Sequence, residues 1–104
     1  MYATIRRFEG VDKTRTDEVV KQVDETLKPK LSELPGFSGY YLLDAGDGVM
    51  TSVSFFDTSA HAEASTKTSS EWVREHNLET AIPNAPKITS GEIVVQETRE
   101  LVKA

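Results

Sequence analysis

The sequence predicts an α+β fold with the element order β-α-β-β-α-β, in which four strands form one antiparallel sheet and both helices cover the same face. Runs of alternating aromatic and β-branched residues mark the strands, and apolar residues that recur every three or four positions mark the helices. Clusters of Gly, Pro and Asp separate these segments. This order is that of the ferredoxin-like arrangement.

Length and composition limit the possible classes of protein. The 104 residues include 38% hydrophobic residues and no Cys, and they carry a formal net charge of -5. The length predicts one domain over residues 1–104, with a core of about 2–97 and a tail at 98–104 that is frayed or contacts a partner. The lack of Cys excludes disulfides and thiolate metal sites, and the acidic charge argues against nucleic acid as a partner. Without a long apolar stretch, we expect a cytoplasmic protein that does not bind a membrane.

The first strand and the first helix form the N-terminal third. Tyr2–Phe8 has the residue pattern of a strand and is followed by a turn. Thr14 or Thr16 is the expected N-cap of the helix. Pro29 lies inside the helical pattern and lacks the backbone N–H that a helix needs, so we expect a kink there. The apolar face of this helix comprises Val19, Val20, Val23, Leu27, Leu31 and Leu34.

The central hairpin has apolar residues on both faces. Phe37–Leu43 and Val49–Phe56 are two strand-like runs joined by a Gly- and Asp-rich turn. In the second run one alternation includes Phe55 and the other includes Phe56. Two helices cover only one face of a sheet, so we expect a homodimer that buries the other faces against each other. The alternative is a monomer with a partly apolar exposed face.

The second helix is expected to begin near Ser59. Thr68 and Glu71 have the spacing of a capping box, which predicts that this helix breaks and restarts before Trp72. After a loop that contains two Pro residues, Ile88–Glu97 is the expected last strand.

Two junctions of the chain resemble those of a known family. Leu-Pro-Gly-Phe-Ser-Gly-Tyr-Tyr at 34–41 leads into a strand, and Ser-Val-Ser-Phe-Phe-Asp at 52–57 leads into the helix that carries Trp72. With these junctions, and over about residues 2–96, the chain resembles the antibiotic-biosynthesis-monooxygenase-like proteins of the dimeric α+β barrel superfamily. The resemblance implies the ferredoxin-like fold and a homodimer joined through the sheets. The superfamily includes cofactor-independent oxygenases, haem-degrading enzymes, isomerases and members with no known reaction, so the fold alone does not define the reaction.

The haem-degrading branch of that superfamily is not expected here. Its members resemble one another in an Asn on the first strand and in a Trp and an axial His on the second helix. The first strand of this chain has Thr4, Arg6 and Arg7 in that region, and Trp72 and His76 are only four positions apart. We therefore expect neither haem nor another bound cofactor.

Trp72 and His76 share one helix face because they are separated by four residues. In the functional interpretation Trp72 is a platform for an aromatic substrate and His76 is a general base with a pKa of about 6.5. The alternative is a core Trp beside a His that interacts with the helix C-terminus. His61, in the first turn of the same helix, is a second candidate base or a surface residue. The spacing of the two histidines does not match a metal site.

Tyr40 and Tyr41 are adjacent in a strand and therefore point to opposite faces. The phenol on the helix side is a candidate donor to a developing oxyanion, or else both are packing and interface residues. Tyr41 is the preferred candidate and Tyr40 the alternate. Arg6 and Arg7 also point to opposite faces, and Arg6 is a candidate to bind a carboxylate or an enolate of a ligand, or to pair with Glu92.

The predicted function is that of a small dimeric enzyme, a cofactor-independent oxygenase or a related enzyme, that acts on an aromatic or enolisable compound in a cleft between the sheet and the helices. The alternative is a non-catalytic dimer that binds a hydrophobic small molecule or is purely structural. The sequence contains no catalytic triad motif, metal-ligand motif or phosphate loop that would decide between them.

Overall fold

The structure, a computed structural model, describes residues 1–99. It contains one four-stranded antiparallel sheet in the spatial order β2-β3-β1-β4. The strands are β1 (Tyr2–Phe8), β2 (Phe37–Gly46), β3 (Val49–Phe56) and β4 (Lys87–Glu92). This strand order and the helical segments on one face confirm the predicted ferredoxin-like α+β fold.

The two central strands of the sheet, β1 and β3, have the predicted bounds. At the edges β2 extends to Gly46, whereas β4 ends at Glu92 and not at Glu97. The chain beyond β4 lacks a partner strand within the described residues, and only the N–H of Ile93 continues the pairing, to the carbonyl of Met1 at 2.9 Å. The predicted tail lies in part outside the described residues, since the structure describes only 98 and 99 of it.

The first helical region begins with a cap that the sequence did not indicate. A 3-10 turn at Lys13–Arg15 precedes α1 (Thr16–Gln22). The carboxylate of Asp12 accepts a hydrogen bond from the N–H of Thr14 at 3.0 Å. Thr14 and Thr16 were therefore the wrong candidates for the cap, because a stronger acceptor two residues earlier already occupies that place.

The predicted kink at Pro29 takes the form of one wider helical turn. Pro29 cannot donate a hydrogen bond to the helix, and a π-helical turn at Val23–Leu27 precedes α2 (Lys28–Ser32). In this turn the N–H of Lys28 donates to the carbonyl of Val23, five residues back. The apolar face resumes as predicted, since Leu31 is fully buried.

The second helix, α3 (Ser59–Glu75), is continuous, so the break predicted before Trp72 is wrong. The hydroxyl of Ser69 donates to the carbonyl of Ser65, one turn back, which is how a hydroxyl is satisfied inside a helix. The helix begins where predicted, with the hydroxyl of Thr58 accepting from the N–H of His61 at 3.2 Å. It ends before Asn77, whose φ of 54° is the left-handed conformation that terminates helices.

The hydrophobic core lies between the helices and one face of the sheet. Side chains of β3 alternate, with Met50, Ser52, Ser54 and Phe56 buried and the intervening ones half-buried. The buried apolar cluster comprises Val11, Val19, Val23, Leu27, Leu31, Met50, Trp72, Leu78 and Ala81. The opposite face keeps large apolar side chains in contact with solvent, namely Ile5, Tyr41 and Leu43. Within the described part of the chain, no helix has the length and apolar character needed to cross a membrane.

Candidate functional site

A cavity of about 360 Å³ lies between the sheet and the helices. This volume is near the lower end of the roughly 300–1,000 Å³ that small-molecule sites occupy. Its walls are largely apolar and include Phe8, Val23, Leu27, Leu42, Met50 and Trp72. Ser52 lines the cavity from the inner face of the central strand β3, and its small side chain leaves space there.

Arg6 forms part of the cavity wall, on the side named here the floor, and is only 3% exposed. Its Nη1 donates to the hydroxyl of Ser54 at 3.1 Å, and its Nη2 donates to the hydroxyls of Ser65 and Thr66. The buried Nε–H has no hydrogen-bond partner. Burial lowers the pKa of the guanidinium, and the proximity of Tyr40 offsets part of that effect. Arginine nevertheless stays protonated at neutral pH, so the floor of the cavity carries a positive charge.

Tyr40 provides the second polar group of the cavity. It lies on the inner face of β2, directly opposite Ser54 of β3. Burial raises the pKa of its phenol, and this effect exceeds the opposing effects of a hydrogen bond with Ser52 and of the charge of Arg6. The phenol is therefore neutral at pH 7 and keeps its proton available as a hydrogen-bond donor.

Trp72 forms part of the cavity wall and is 2% exposed. Its indole Nε1–H donates to the hydroxyl of Thr26 at 2.7 Å, and that hydroxyl donates to the carbonyl of Gln22 at 2.6 Å. Thr26 belongs to the π-helical turn, so the local widening before Pro29 lies beside the residue that holds the indole. The orientation of the ring is thus determined by a hydrogen bond as well as by packing.

Neither histidine lines the cavity. The ring of His76 is half-buried at the end of α3, where Nδ1 lies 3.1 Å from the carbonyl of Trp72 and the two ring centroids are 5.4 Å apart. The Nδ1 of His61 lies 2.5 Å from a carboxylate oxygen of Asp57 near the start of α3. The arrangement of His76 matches the alternative interpretation, a His at the helix terminus, and a role as base remains a prediction for both residues.

The two adjacent tyrosines point to opposite faces, as predicted. Tyr41 was the preferred candidate for the cavity, but Tyr40 is the tyrosine that faces it, and Tyr41 is 54% exposed on the other face of the sheet. Tyr41 packs edge-to-face on Phe55 with ring centroids 6.1 Å apart. Of the sequence-based candidates, the structure therefore brings Arg6, Tyr40 and Trp72 to the cavity, and it leaves Tyr41 and the two histidines outside it.

Several cavity residues were not singled out from the sequence. Thr66, Ser69 and Ser70 of α3 contribute hydroxyls to the wall, and Arg74 and Asn84 lie at the exposed mouth. The sequence does contain a pattern that indicates these hydroxyl residues of α3, since Ser and Thr recur at 65, 66, 69 and 70 with the period of a helix face. Core-facing helices are normally apolar on that face, so small hydroxyl residues there indicate space or polar contacts.

Fold and cavity together define the class: a ferredoxin-like α+β domain with a cavity of about 360 Å³ between its sheet and its helices. Residues 1–74 match the family model described as Antibiotic biosynthesis monooxygenase, and the chain belongs to that family. A comparison with curated protein sequences gives no significant match.

Solved structures with the same fold share little sequence with this chain. A protein of unknown function from Nitrosomonas europaea superposes with a TM-score of 0.75 at 16% identity, covering 95% of this chain and 94% of that one. A monooxygenase from Streptomyces coelicolor, solved with nanaomycin D, gives 0.73 at 13%, covering 95% and 92%. The haem-degrader MhuD from Mycobacterium tuberculosis, solved with two haems in its active site, gives 0.71 at 17%, covering 94% and 100%. At these identities the similarity shows the fold only.

The residues of the cavity do not fit haem as the haem-degrading branch is expected to bind it. Among residues 1–99, no histidine lines the cavity, so the axial imidazole expected for that branch has no counterpart. The charged Arg6 occupies the floor from the strand on which that branch is expected to carry Asn. These two differences separate the cavity from the one expected for the haem-degrading branch, and the absence of haem stays a prediction.

Proposed function

We propose that the protein is a cofactor-independent oxygenase that acts on a small aromatic or enolisable molecule inside the 360 Å³ cavity. The observation that carries this proposal is a mostly apolar cavity with a half-buried, neutral phenol, that of Tyr40, on its wall. An apolar cavity with few polar groups positions and desolvates an aromatic ring. Membership of the monooxygenase family supports the reaction class.

The chemistry requires a donor where negative charge develops on a substrate oxygen. Oxygenation of an electron-rich phenol by O₂ converts one ring C–H and the phenol O–H into two quinone carbonyls and releases one water. The substrate supplies all four electrons, so no external reductant is needed. In this proposal the phenol of Tyr40 donates a hydrogen bond to the substrate oxygen, and Trp72 packs against the face of the substrate ring; both residues line the cavity.

The adjacent tyrosines allow a matched test of this role. Oxygen uptake is measured with electron-rich polycyclic phenols for wild type, Tyr40→Phe and Tyr41→Phe. Loss of one oxyanion donor typically lowers kcat about 100- to 1,000-fold, so we expect this loss for Tyr40→Phe and none for Tyr41→Phe. Equal effects of the two variants would contradict the assignment. Adding His76→Ala to the series decides whether that imidazole is the base.

The second candidate is a non-catalytic binding protein. It is favoured by the position of both histidines outside the cavity, because the described cavity then lacks a general base with a near-neutral pKa. Tight binding of aromatic ligands without oxygen uptake for any of them would establish this alternative.

We propose further that two copies associate through the exposed face of the sheet. Ile5, Tyr41 and Leu43 are 41%, 54% and 51% exposed on that face, and burying such side chains is favourable. Light scattering should give twice the chain mass of 11.5 kDa. Leu43→Glu should produce monomers, whereas Val20→Glu, at an apolar residue of α1 that is 43% exposed, should not.

A further inference from the structure

The buried cation at the floor of the cavity has no anionic partner among residues 1–99. The ion pairs in that part of the chain join side chains that reach solvent, and Arg6 is in none of them. Its neighbour Arg7 shows the contrast, since it is exposed on the other face and lies 3.9 Å from Glu9. A buried charge without a counter-charge is unfavourable, and most proteins avoid it.

The contacts of Arg6 hold the guanidinium in place but do not neutralise it. The guanidinium donates three hydrogen bonds, all to hydroxyl oxygens, those of Ser54, Ser65 and Thr66. The hydroxyl of Ser65 donates its own proton to the carbonyl of Ala62 at 2.6 Å, which leaves its lone pairs free to accept from Arg6. The cation is therefore oriented in advance, and its charge remains available to a ligand.

Resting on the proposed function of this cavity, we infer that its ligand carries a delocalised oxyanion, a carboxylate or a phenolate, attached to a flat apolar body, and that Arg6 supplies the counter-charge. Arginine suits this role because its planar N–H groups match oxyanion geometry. The apolar body would contact Met50, Val23 and Trp72, which line the same cavity. Arg6 is only 3% exposed, so water cannot replace the missing anion in full.

The competing explanation is that Arg6 has a purely structural role and links β1 to α3 through hydrogen bonds to hydroxyls. A purely structural role predicts a loss of stability on substitution but no preference of the cavity for charged ligands. Binding of charged and neutral probes of one shape separates the two explanations without any measurement of turnover.

The test compares two pairs of probes by calorimetry with the full chain. One pair is 2-naphthoate and 2-naphthamide, and the other is 2,4-dinitro-1-naphtholate and its methyl ether, so each pair differs in charge at nearly constant shape. Wild type should bind at least one anion about 10- to 100-fold more tightly than its neutral counterpart, the range expected for charge-assisted hydrogen bonds. The pair that shows the preference identifies carboxylate or phenolate. The indole N–H resonance of Trp72, the one Trp of the chain, reports binding in the cavity.

Two neighbouring substitutions supply the control. Arg6→Gln should reduce the ratio to about one, while Arg7→Gln should leave it unchanged. Arg6→Lys should retain a preference for the anion, which keeps the test decisive if Arg6→Gln does not fold. Equal binding of charged and neutral probes by wild type, or no binding of either anion at millimolar concentration, would overturn the inference. Anion preference together with no oxygen uptake from the electron-rich polycyclic phenols would support the inference and contradict the oxygenase proposal.

Discussion

Replacing Thr26 with Val tests whether a hydrogen bond stabilises the Trp72 wall of the cavity. The indole Nε1–H donates to the hydroxyl of Thr26 at 2.7 Å, and the indole side chain is 2% exposed. Val has nearly the shape and helix propensity of Thr, so the substitution removes the acceptor with little change in backbone preference. The expected consequence is a buried N–H without a partner.

The magnitude follows from that geometry. An unpaired buried donor costs about 1–3 kcal/mol, and about 2 kcal/mol lowers the Tm of a domain of this size by roughly 10 °C. Thr26→Ser keeps the hydroxyl and should stay within about 0.5 kcal/mol of wild type. Both free energies of unfolding are measured by urea titration followed through Trp72 fluorescence and far-UV dichroism.

A double-mutant cycle with Trp72→Phe shows whether the indole N–H is the cause. Phe has no N–H, so Thr26→Val in that background should cost less than about 0.5 kcal/mol. An equal cost of Thr26→Val in both backgrounds would refute the reasoning, because the loss would then come from the helix and not from the indole.

Three further predictions concern the junctions and the core. Gly36→Ala should destabilise the fold by more than about 1 kcal/mol in urea titrations, because φ is +77° and a Cβ would overlap the carboxylate of Asp57, whereas Gly91→Ala, which meets no neighbour, should be nearly neutral. The hydrogen bond with His61 lowers the pKa of Asp57 from 3.8, so the contribution of this carboxylate to stability is present above pH 3.8 and is lost as the pH falls through the lowered value. The difference in urea midpoint between wild type and Asp57→Asn should therefore shrink as the pH falls over that range. A difference that grows would mean that the carboxylate destabilises the fold. Leu31→Ala removes a fully buried side chain and should cost about 2–5 kcal/mol by the same titration, so a cost below 1 kcal/mol would mean that this helix is not packed as described.

Secondary structure was largely predictable because it depends on local periodicity. The bounds of β1 and β3, and the start of α3, were read from alternation and from the capping chemistry that follows Phe56. The errors occurred where a local sequence pattern predicted one structure and tertiary packing favoured another. Thr68 and Glu71 have the spacing of a capping box, but the helix continues through them because its flanking turns are already packed against the sheet.

The sequence predicted which types of residue form the candidate site, but it identified only some of the particular residues that line the cavity. Trp72 lies in the cavity wall as its position on α3 suggested. His76 shares that helix, yet it caps the C-terminal end and lies beside the carbonyl of Trp72. The hydroxyls of Thr66 and Ser69 became relevant only when the helix was seen to face Arg6 and the cavity.

The sequence by itself determined the order of the elements and the family resemblance. It also determined that adjacent residues of a strand point to opposite faces of the sheet. Side chains alternate between the two faces along a strand, so Tyr40 and Tyr41 point to opposite faces, as do Arg6 and Arg7. Which member of each pair faces the helices depends on the register with β3, and a shift by one residue would exchange the two faces. Only the tertiary structure decided that Arg6 and Tyr40 share one cavity and that the cation there has no acidic partner within residues 1–99. The reason is that these contacts join residues dozens of positions apart, through packing that no local pattern records.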